Sequence, residues 1–474
     1  MQVTLAGYNI DSSLIRALNN PSATPEVISA AYARISRSEK SVTELRGEAL
    51  AELAKARRSN QTIVFDLGHA SVAEHAVFNF DIIGISRLLT DSLETLRFAS
   101  FTEKSQRYVT FAKDYVVPSE LDQPGCQALK EIYCGVLDSL FAEYQASFEA
   151  LKEYHASRSP ELSAQDLDGR AKEDARYILP LATTTQLGMT LNARSLENLL
   201  RRLVSHPLRE AGELYTELLN QAREVCPSLV RYVEAEPFEG SFQLLETGTP
   251  TEAWGDEEPL RLVDSTPDAG DRILAALLYE QSQASWQRCR ETVANLGAEA
   301  RSELWEQVFA GIQPWSKMPR AFELVDFILE LNISESCWAQ FKRHRVGTLI
   351  RQKRSLPALP VIPELIRAVG REERWMELLN GASDLRANLT ARSPHLAGYA
   401  RTNADRVRVL VKMNLREIYH LVRLRSDAHA QWEINRLSHR IVEHLKAVAP
   451  QATAFLCGKS EFDALPADRS RQKD

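Results

Sequence analysis

A strand-like alternation occurs twice in this chain, and the spacing between its two occurrences limits what the chain can fold into. In the first, Phe78, Phe80 and Ile82 alternate with Asn79 and Asp81; in the second, Val325, Phe327, Leu329 and Leu331 alternate with polar residues that include Asp326 and Glu330. Apolar and polar residues alternating with period two mark a strand buried on one face. Setting Arg97 against Arg345 and Ser100 against Thr348 gives an offset of 248 residues (345 − 97), which lays the first strand over the second and His75 over Glu323. Downstream, Asn192-Ala193-Arg194 falls on Asn414-Leu415-Arg416 at an offset of 222 (414 − 192), so the second copy is shorter by 26 residues (248 − 222) in between. Four landmarks in one order point to a duplicated domain.

Helical patterns surround each alternation. Before the first lie two, Thr24 to about Arg58, the latter part beginning at Val42; after it come a helix with Leu88, Leu89, Leu93 and Leu96, a loop-like block from Ser100 to Tyr108, and helices over Ala128–Tyr154 and Asn192–Val225. In the second half a helix over Ile273–Val293 precedes the strand, a helix carries Gln340 to Arg345, and a periodic helix is expected from about Asp405 to Val448. Between Glu234 and Gly270 the composition turns to Pro, Gly, Thr and acids, as at a domain boundary. The expectation is an α+β protein of two tandem related domains, each a small sheet with long helices: residues 1–235, a linker over 236–270, and residues 271–474.

Charged residues make up 26% and hydrophobic residues 44% of the 474, the proportions of a soluble globular protein. Acids outnumber bases 64 to 57, a formal net charge of −7. That weighs against general nucleic-acid binding and leaves room for a local basic pocket. No apolar run reaches membrane-spanning length, and Met1-Gln2-Val3-Thr4 begins no secretory pattern. The six cysteines (Cys126, Cys134, Cys226, Cys289, Cys337, Cys457) are scattered, with no C-x-x-C pair. A reduced, metal-free, cytoplasmic protein without nucleic-acid or membrane partners is expected.

Gln340-Phe341-Lys342-Arg343-His344-Arg345 places two guanidiniums and an imidazole where an amphipathic helix runs out. Planar guanidiniums suit phosphate or a carbonyl-rich ring, and an imidazole between them suits a flat heterocycle. Cations at a helix C-terminus are also favoured by the macrodipole alone. Together with Gly68-His69-Ala70-Ser71-Val72-Ala73-Glu74-His75, Glu103-Lys104-Ser105-Gln106-Arg107-Tyr108, Arg176-Tyr177-Ile178-Leu179-Pro180 and Asn192-Ala193-Arg194-Ser195-Leu196, this stretch resembles the flavin-dependent thymidylate synthases. Their pattern runs His-x-Ser-x-x-Glu-His, Gln-x-x-Arg-His-Arg-x-x-Ser-x-x-Glu-x-Ser-x-Arg-Tyr, Ala-Arg-x-x-Leu-Pro and Asn-Ala-Arg-Ser-Leu, with an Arg eleven residues after that Asn. The resemblance covers nearly the whole chain as a tandem copy, and implies a small mixed or antiparallel sheet with long helices in each half.

The two copies depart from the pattern in complementary ways. The first reads Thr95-Leu96-Arg97 at Arg-His-Arg and has Leu203 for the late Arg, yet keeps Glu103, Ser105, Arg107, Tyr108 and Arg176. The second keeps Gln340, Arg343, His344, Arg345 and Arg425, but reads Lys353-Arg354-Ser355-Leu356 in the Ser-x-Arg-Tyr block and Gly398 in place of Arg176. Family members resemble tetramers whose sites lie between subunits, so a fused pair keeps one complete site if each copy retains a different side, and a homodimer would mimic the tetramer.

The resemblance implies methylation of dUMP to dTMP, with methylenetetrahydrofolate as one-carbon donor and NADPH-reduced FAD as hydride source. It implies dUMP binding by Glu103, Lys104, Ser105, Gln106, Arg107, Arg176, Gln340, Arg343 and Arg425, with Arg425 catalytic at the uracil. FAD binding is implied for Arg343, His344, Arg345, Glu103, Asn192, Arg194 and Asn198, with Asn414, Arg416 and His420 as candidates for the same role. A related flavoenzyme acting on another nucleotide, or a catalytically silent flavin- or nucleotide-binding scaffold, remains open at this point. His69 and His75 fit equally well as hydrogen-bonding residues of a packed junction. His429 and Trp432 read as packing, and Glu433, eight residues after Arg425, as part of a solvated helix face.

Overall fold

The computed structural model describes residues 1–10, 24–35, 38–66, 68–235, 258–352 and 359–465. The described chain divides into two units, Met1–Thr251 with Ile362–Asn403, and Glu252–Val361 with Ala404–Asp474. Each is built on a four-stranded antiparallel sheet. In the first, β1 (Gln2–Tyr8), β2 (Val77–Ser86), β3 (Ala99–Glu103) and β4 (Thr184–Asn192) lie in the order β1-β2-β4-β3. In the second, β5 (Leu260–Ser265), β6 (Asp326–Ser334), β7 (Thr348–Arg351) and β8 (Arg406–Asn414) lie in the order β5-β6-β8-β7. The same order in both sheets is the duplication expressed as topology.

Among the described residues the α-helices are α1 (Glu26–Arg34), α2 (Val42–Ala51), α3 (Leu53–Gln61), α4 (Arg87–Glu94), α5 (Gln127–Arg158), α6 (Ala164–Ala175), α7 (Ala193–Val204) and α8 (Arg209–Val225), then α9 (Ala269–Gln281), α10 (Trp286–Ala294), α11 (Ala298–Phe309), α12 (Glu335–Phe341), α13 (Glu364–Ala368), α14 (Glu372–Arg392), α15 (Leu415–Arg425) and α16 (Trp432–Val448). Among the described residues no helix is long and apolar enough to cross a membrane.

The structure departs from the sequence reading in several places. Residues 406–414, expected to be helical, form β8; Val407, Val409, Val411 and Met413 are buried, and the alternation was available in the sequence. The loop-like block begins as strand β3. Within the expected linker, Leu260–Ser265 pair with β6 as an edge strand, while residues 236–257 lie outside the described residues. The segment Ile362–Asn403, assigned by composition to the second domain, groups with the first unit.

One β-bulge corrects the alignment of the copies. Pairing of β2 with β4 slips by one residue between Ile83 and Ile85, at Gly84, whose φ of 79° is left-handed; β6 pairs with β8 without interruption. Phe78 opposite Leu191 therefore matches Phe327 opposite Met413 at an offset of 249 (327 − 78), and the offset returns to 248 only beyond the bulge, at Ser86 and Ser334 (334 − 86). Glu74, not His75, is thus the counterpart of Glu323. The ion pairs agree: Arg194 Nη1 lies 2.6 Å from Glu74 Oε1, and Arg416 Nη1 lies 2.8 Å from Glu323 Oε1.

Both copies fix the strand-to-helix corner in the same way. Ser86 donates its backbone N–H to Glu210 Oε1 (2.6 Å) and its hydroxyl to Oε2 (2.7 Å), while its Oγ accepts the Leu89 N–H that begins α4. Ser334 repeats this with Glu433 and the Cys337 N–H at the start of α12. Glu433 is therefore a corner clamp at the start of α16, and Ser426 to Gln431 separate it from α15, so it shares no helix face with Arg425.

Within the first unit α5 packs against α14 through a buried polar network. Arg371 Nε and Nη2 each lie 2.7 Å from a Glu143 carboxylate oxygen, Ser147 Oγ donates to Glu143 (2.9 Å), and the fully buried Trp375 donates its indole N–H to Ser147 Oγ (2.8 Å). Removing one partner of such a pair leaves a buried charge uncompensated. Arg371→Ala is expected to lower the unfolding free energy by about 3 kcal/mol, read by urea denaturation; no change would show that Glu143 finds another partner.

Candidate functional site

In the first unit, strand β3 delivers a turn. Ser105 Oγ accepts the Arg107 N–H (3.1 Å) and Ser105 O accepts the Val109 N–H (3.1 Å). The turn presents Arg107, whose Nε lies 2.7 Å from Glu173 Oε2. Arg176 follows α6 in a short 3-10 turn; it is 8% exposed and donates from Nε to Glu173 O (3.3 Å), while its Nη2 is buried without a hydrogen-bond partner among the described residues. Arg87, at the start of α4, lies 3.0 Å from Glu103. Lys104 Nζ sits 4.7 Å from the centroid of Phe111.

Burial pushes the Arg176 guanidinium below its ordinary pKa, and the charges of Arg87 and Arg107 add to that shift against the opposing pull of Tyr177 and Glu173. Arg87, Arg107 and Arg176 together carry one more positive charge than Glu103 and Glu173, which pair with or flank them. An anion bound there would relieve the repulsion. The structure thus brings together Ser105, Gln106, Arg107 and Arg176.

In the second unit, Gln340 lies in the last turn of α12, and Arg343-His344-Arg345 follow its C-terminus, held by the fully buried Phe341. His344 is 4% exposed. Its Nε2 accepts a hydrogen bond from Arg425 Nε (3.2 Å), and its Nδ1 faces Glu417 Oε1 at 3.4 Å. Arg425, the last residue of α15, also donates from Nη2 to Gln340 O (3.0 Å), and Gln340 Nε2 lies 3.4 Å from Gln431 Oε1. Burial pushes the His344 pKa down, outweighing the Glu417 carboxylate, so the ring is neutral with its proton on Nδ1. Both ring nitrogens of His344, expected among the flavin-binding residues, are engaged within the unit, and the ring holds Arg425. Burial and the charge of Arg343 push the Arg425 guanidinium down as well.

Sequence reasoning missed Glu417. It lies eight residues before Arg425 on α15, about two turns and so on the same face, which was the available signal.

Other candidates are placed apart. Glu103 pairs across from Leu187, whereas Asn192 ends β4 five residues further on, about 17 Å at the rise of an antiparallel strand. Asn192 accepts the Ser195 N–H as the cap of α7, Arg194 pairs with Glu74, and Asn198 accepts from Arg201. Within the first unit the expected flavin set therefore does not converge. His75 packs edge-on against Tyr32 at 4.8 Å, and His429, expected to pack, is exposed.

The Thy1 family, described as thymidylate synthase complementing protein, matches residues 17–228 and again 261–451. The chain belongs to that family. A flavin-dependent thymidylate synthase of Clostridium tetani is 31% identical over 172 residues, covering 36% of this chain and 68% of that protein. The UPF0159 protein of Chlamydia pneumoniae is 25% identical over 434 residues, covering 85% of this chain and 81% of that protein, and so fits the tandem form. Among solved structures, the flavin-dependent thymidylate synthase of Helicobacter pylori complexed with FAD and dUMP is 24% identical, covers 49% of this chain and 100% of that chain, and gives a TM-score of 0.29.

The two Thy1 copies differ by an exchange of charge. Arg87 pairs with Glu103 in the first; Glu335 pairs with Arg351 in the second, each residue displaced by 248 (335 − 87, 351 − 103). The contact is kept with its signs reversed, so an arginine stands where the first copy has its glutamate. Gly398 replaces Arg176, and a Cβ there would lie 2.9 Å from the Leu88 methyl groups. Lys353 to Leu356 lie outside the described residues.

The neutral state of His344 has a measurable consequence. Its folded pKa is lowered, so the unfolded chain takes up the proton first; the stability this ring contributes is complete above the unfolded value of about 6.5 and is lost as pH falls below it. Nitrogen-15 NMR is expected to show an Nδ1-protonated ring titrating below about 6.5. A midpoint above that value would contradict the Arg425–His344 arrangement.

Proposed function

We propose that this chain methylates dUMP to dTMP in the cytoplasm, taking a one-carbon unit from methylenetetrahydrofolate with FAD, reduced by NADPH, as its flavin. Bound FAD supplies the hydride. The observation that carries the reading is the division of surviving residues: the first copy keeps a turn and an arginine cluster suited to a phosphate, and the second keeps Gln340, Arg343, His344, Arg345 and Arg425.

In this reading Ser105, Gln106, Arg107 and Arg176, with Lys104 and the amides of Ser105 and Gln106 in the Glu103–Arg107 turn, bind the nucleotide phosphate and sugar. Hydrogen bonds to charged groups of this kind contribute about 1.5–3 kcal/mol each. Gln340 and Arg343 bind the same nucleotide. Arg425, held by His344 and by Gln340 O, stabilises negative charge developing on the uracil ring, and its fixed orientation avoids reorganisation at the moment of reaction. Arg343, Arg345 and Glu103, with Asn192, Arg194 and Asn198 or their second-copy counterparts Asn414, Arg416 and His420, hold the flavin, His344 contributing through Arg425. A homodimer completes the assembly.

The test is tritium release from C5-labelled dUMP with FAD, NADPH and methylenetetrahydrofolate, with dTMP identified by chromatography. Arg425→Ala is expected to cut turnover by about 10²–10³-fold, and Arg343→Ala to abolish it, whereas Arg97→Ala has a small effect. Equal losses in all three contradict the division of roles between the copies. Bound flavin without tritium release would redirect the reading to another nucleotide or to a silent scaffold.

A further inference from the structure

We propose that Asn403, contributed by the second copy, is a positioning residue for phosphate binding in the first unit, fixing the Gln106 side-chain amide so that its Nε2 is offered as a donor. The proposal rests on the nucleotide-binding reading above. Asn403 is 2% exposed and Gln106 is 5% exposed. Asn403 Nδ2 donates to Gln106 Oε1 (2.9 Å) and to Arg176 O (2.8 Å), and its own N–H donates to Leu179 O (2.9 Å). One side chain therefore ties the Ser105–Arg107 turn to the turn carrying Arg176.

The amide has two ends, and Asn403 Nδ2 can only donate. Its hydrogen bond requires Gln106 to present oxygen to Asn403, which leaves Nε2 on the other side. That Nε2 is buried without a hydrogen-bond partner among the described residues, as is Arg176 Nη2. A buried donor without a partner costs about 1–3 kcal/mol. Two such donors, on adjoining turns tied by one asparagine, are satisfied by the acceptor oxygens of an anion. Arg87 and Arg107 act on Arg176 there, with Glu103 and Glu173 as their counter-charges. The first-copy counterpart of Asn403 is Leu181 (403 − 222), which cannot donate. The asparagine is therefore not a requirement of the backbone pairing that both residues share.

The test uses the full-length protein and two probes, dUMP and inorganic phosphate, with deoxyuridine as the control lacking phosphate. In equilibrium dialysis, Asn403→Leu is expected to raise the Kd for dUMP and for phosphate about tenfold, the loss of one hydrogen bond to a charged group, and to leave deoxyuridine binding unchanged. Asn403→Asp, equal in size and able to accept from Gln106 Nε2, is expected to give the same phosphate-specific loss if Asn403→Leu proves unstable. Gln106→Leu should weaken dUMP to a similar degree, and the double variant should be no weaker than Gln106→Leu, because both changes remove one donor. Additive losses, or equal losses for dUMP and deoxyuridine, would overturn the proposal, as would a wild-type protein that binds neither probe. A wild-type protein that binds phosphate but not dUMP would defeat the nucleotide reading, and the phosphate series would then decide the role of Asn403.

Discussion

A short backbone bridge between equivalent segments of the two copies governs the first unit. Leu181 N donates to Arg401 O (2.6 Å), Asn403 N donates to Leu179 O (2.9 Å), and Pro180 and Thr402 lie opposite one another. Pro180 and Thr402 are separated by 222 residues (402 − 180), the offset of the duplication, and the two hydrogen bonds flank them symmetrically, so the bridge joins each segment to its own counterpart. It follows directly on Arg176 in one copy and on Gly398 in the other. Tyr177 and its counterpart Tyr399 are both fully buried beside it, and Tyr399 donates to Glu210 (2.7 Å), the carboxylate that clamps Ser86. The bridge, the corner of β2 and the arginine cluster form one connected arrangement.

Duplication supplies two equal frames, and the side chains have made them unequal. Both corners keep the serine–glutamate clamp and both helix junctions keep an Arg–Glu pair, because each secures backbone that the sheet needs in either copy. The pair at Arg87 and Glu103 is different. Its counterpart Glu335 and Arg351 keeps the contact and reverses the signs, which preserves the packing of strand against helix while changing what an incoming anion would meet. Gly398 beside Leu88 removes the second copy's equivalent of Arg176 as well. In exchange, Arg425 and His344 survive only where Leu203 and Leu96 stand in the first copy.

Much of this was legible in the sequence. The alternation at Phe78 and Phe327, the two offsets and the complementary motif losses carried the duplication and most candidate residues. Three things were not. The bulge at Gly84 inserts one residue without breaking the alternation pattern on either side, so His75 was aligned where Glu74 belongs. Strand β8 was absorbed into a helical reading because α15 follows it immediately and shares its apolar content. The grouping of Ile362–Asn403 with the first unit depends on pairings such as Arg371 with Glu143, 228 residues apart, and local pattern carries no information about partners that distant. Glu417, which stands where the motif has Ser195, and Asn403, one residue beyond the Ala-Arg-x-x-Leu-Pro motif, were missed for a related reason: their meaning lies in what they touch.

In the proposed function, decay of one copy's anion site has left one nucleotide site in each chain. Calorimetric titration of the purified protein with dUMP tests this directly through its stoichiometry. The account predicts one nucleotide bound per chain, and two per chain, or none, would contradict it.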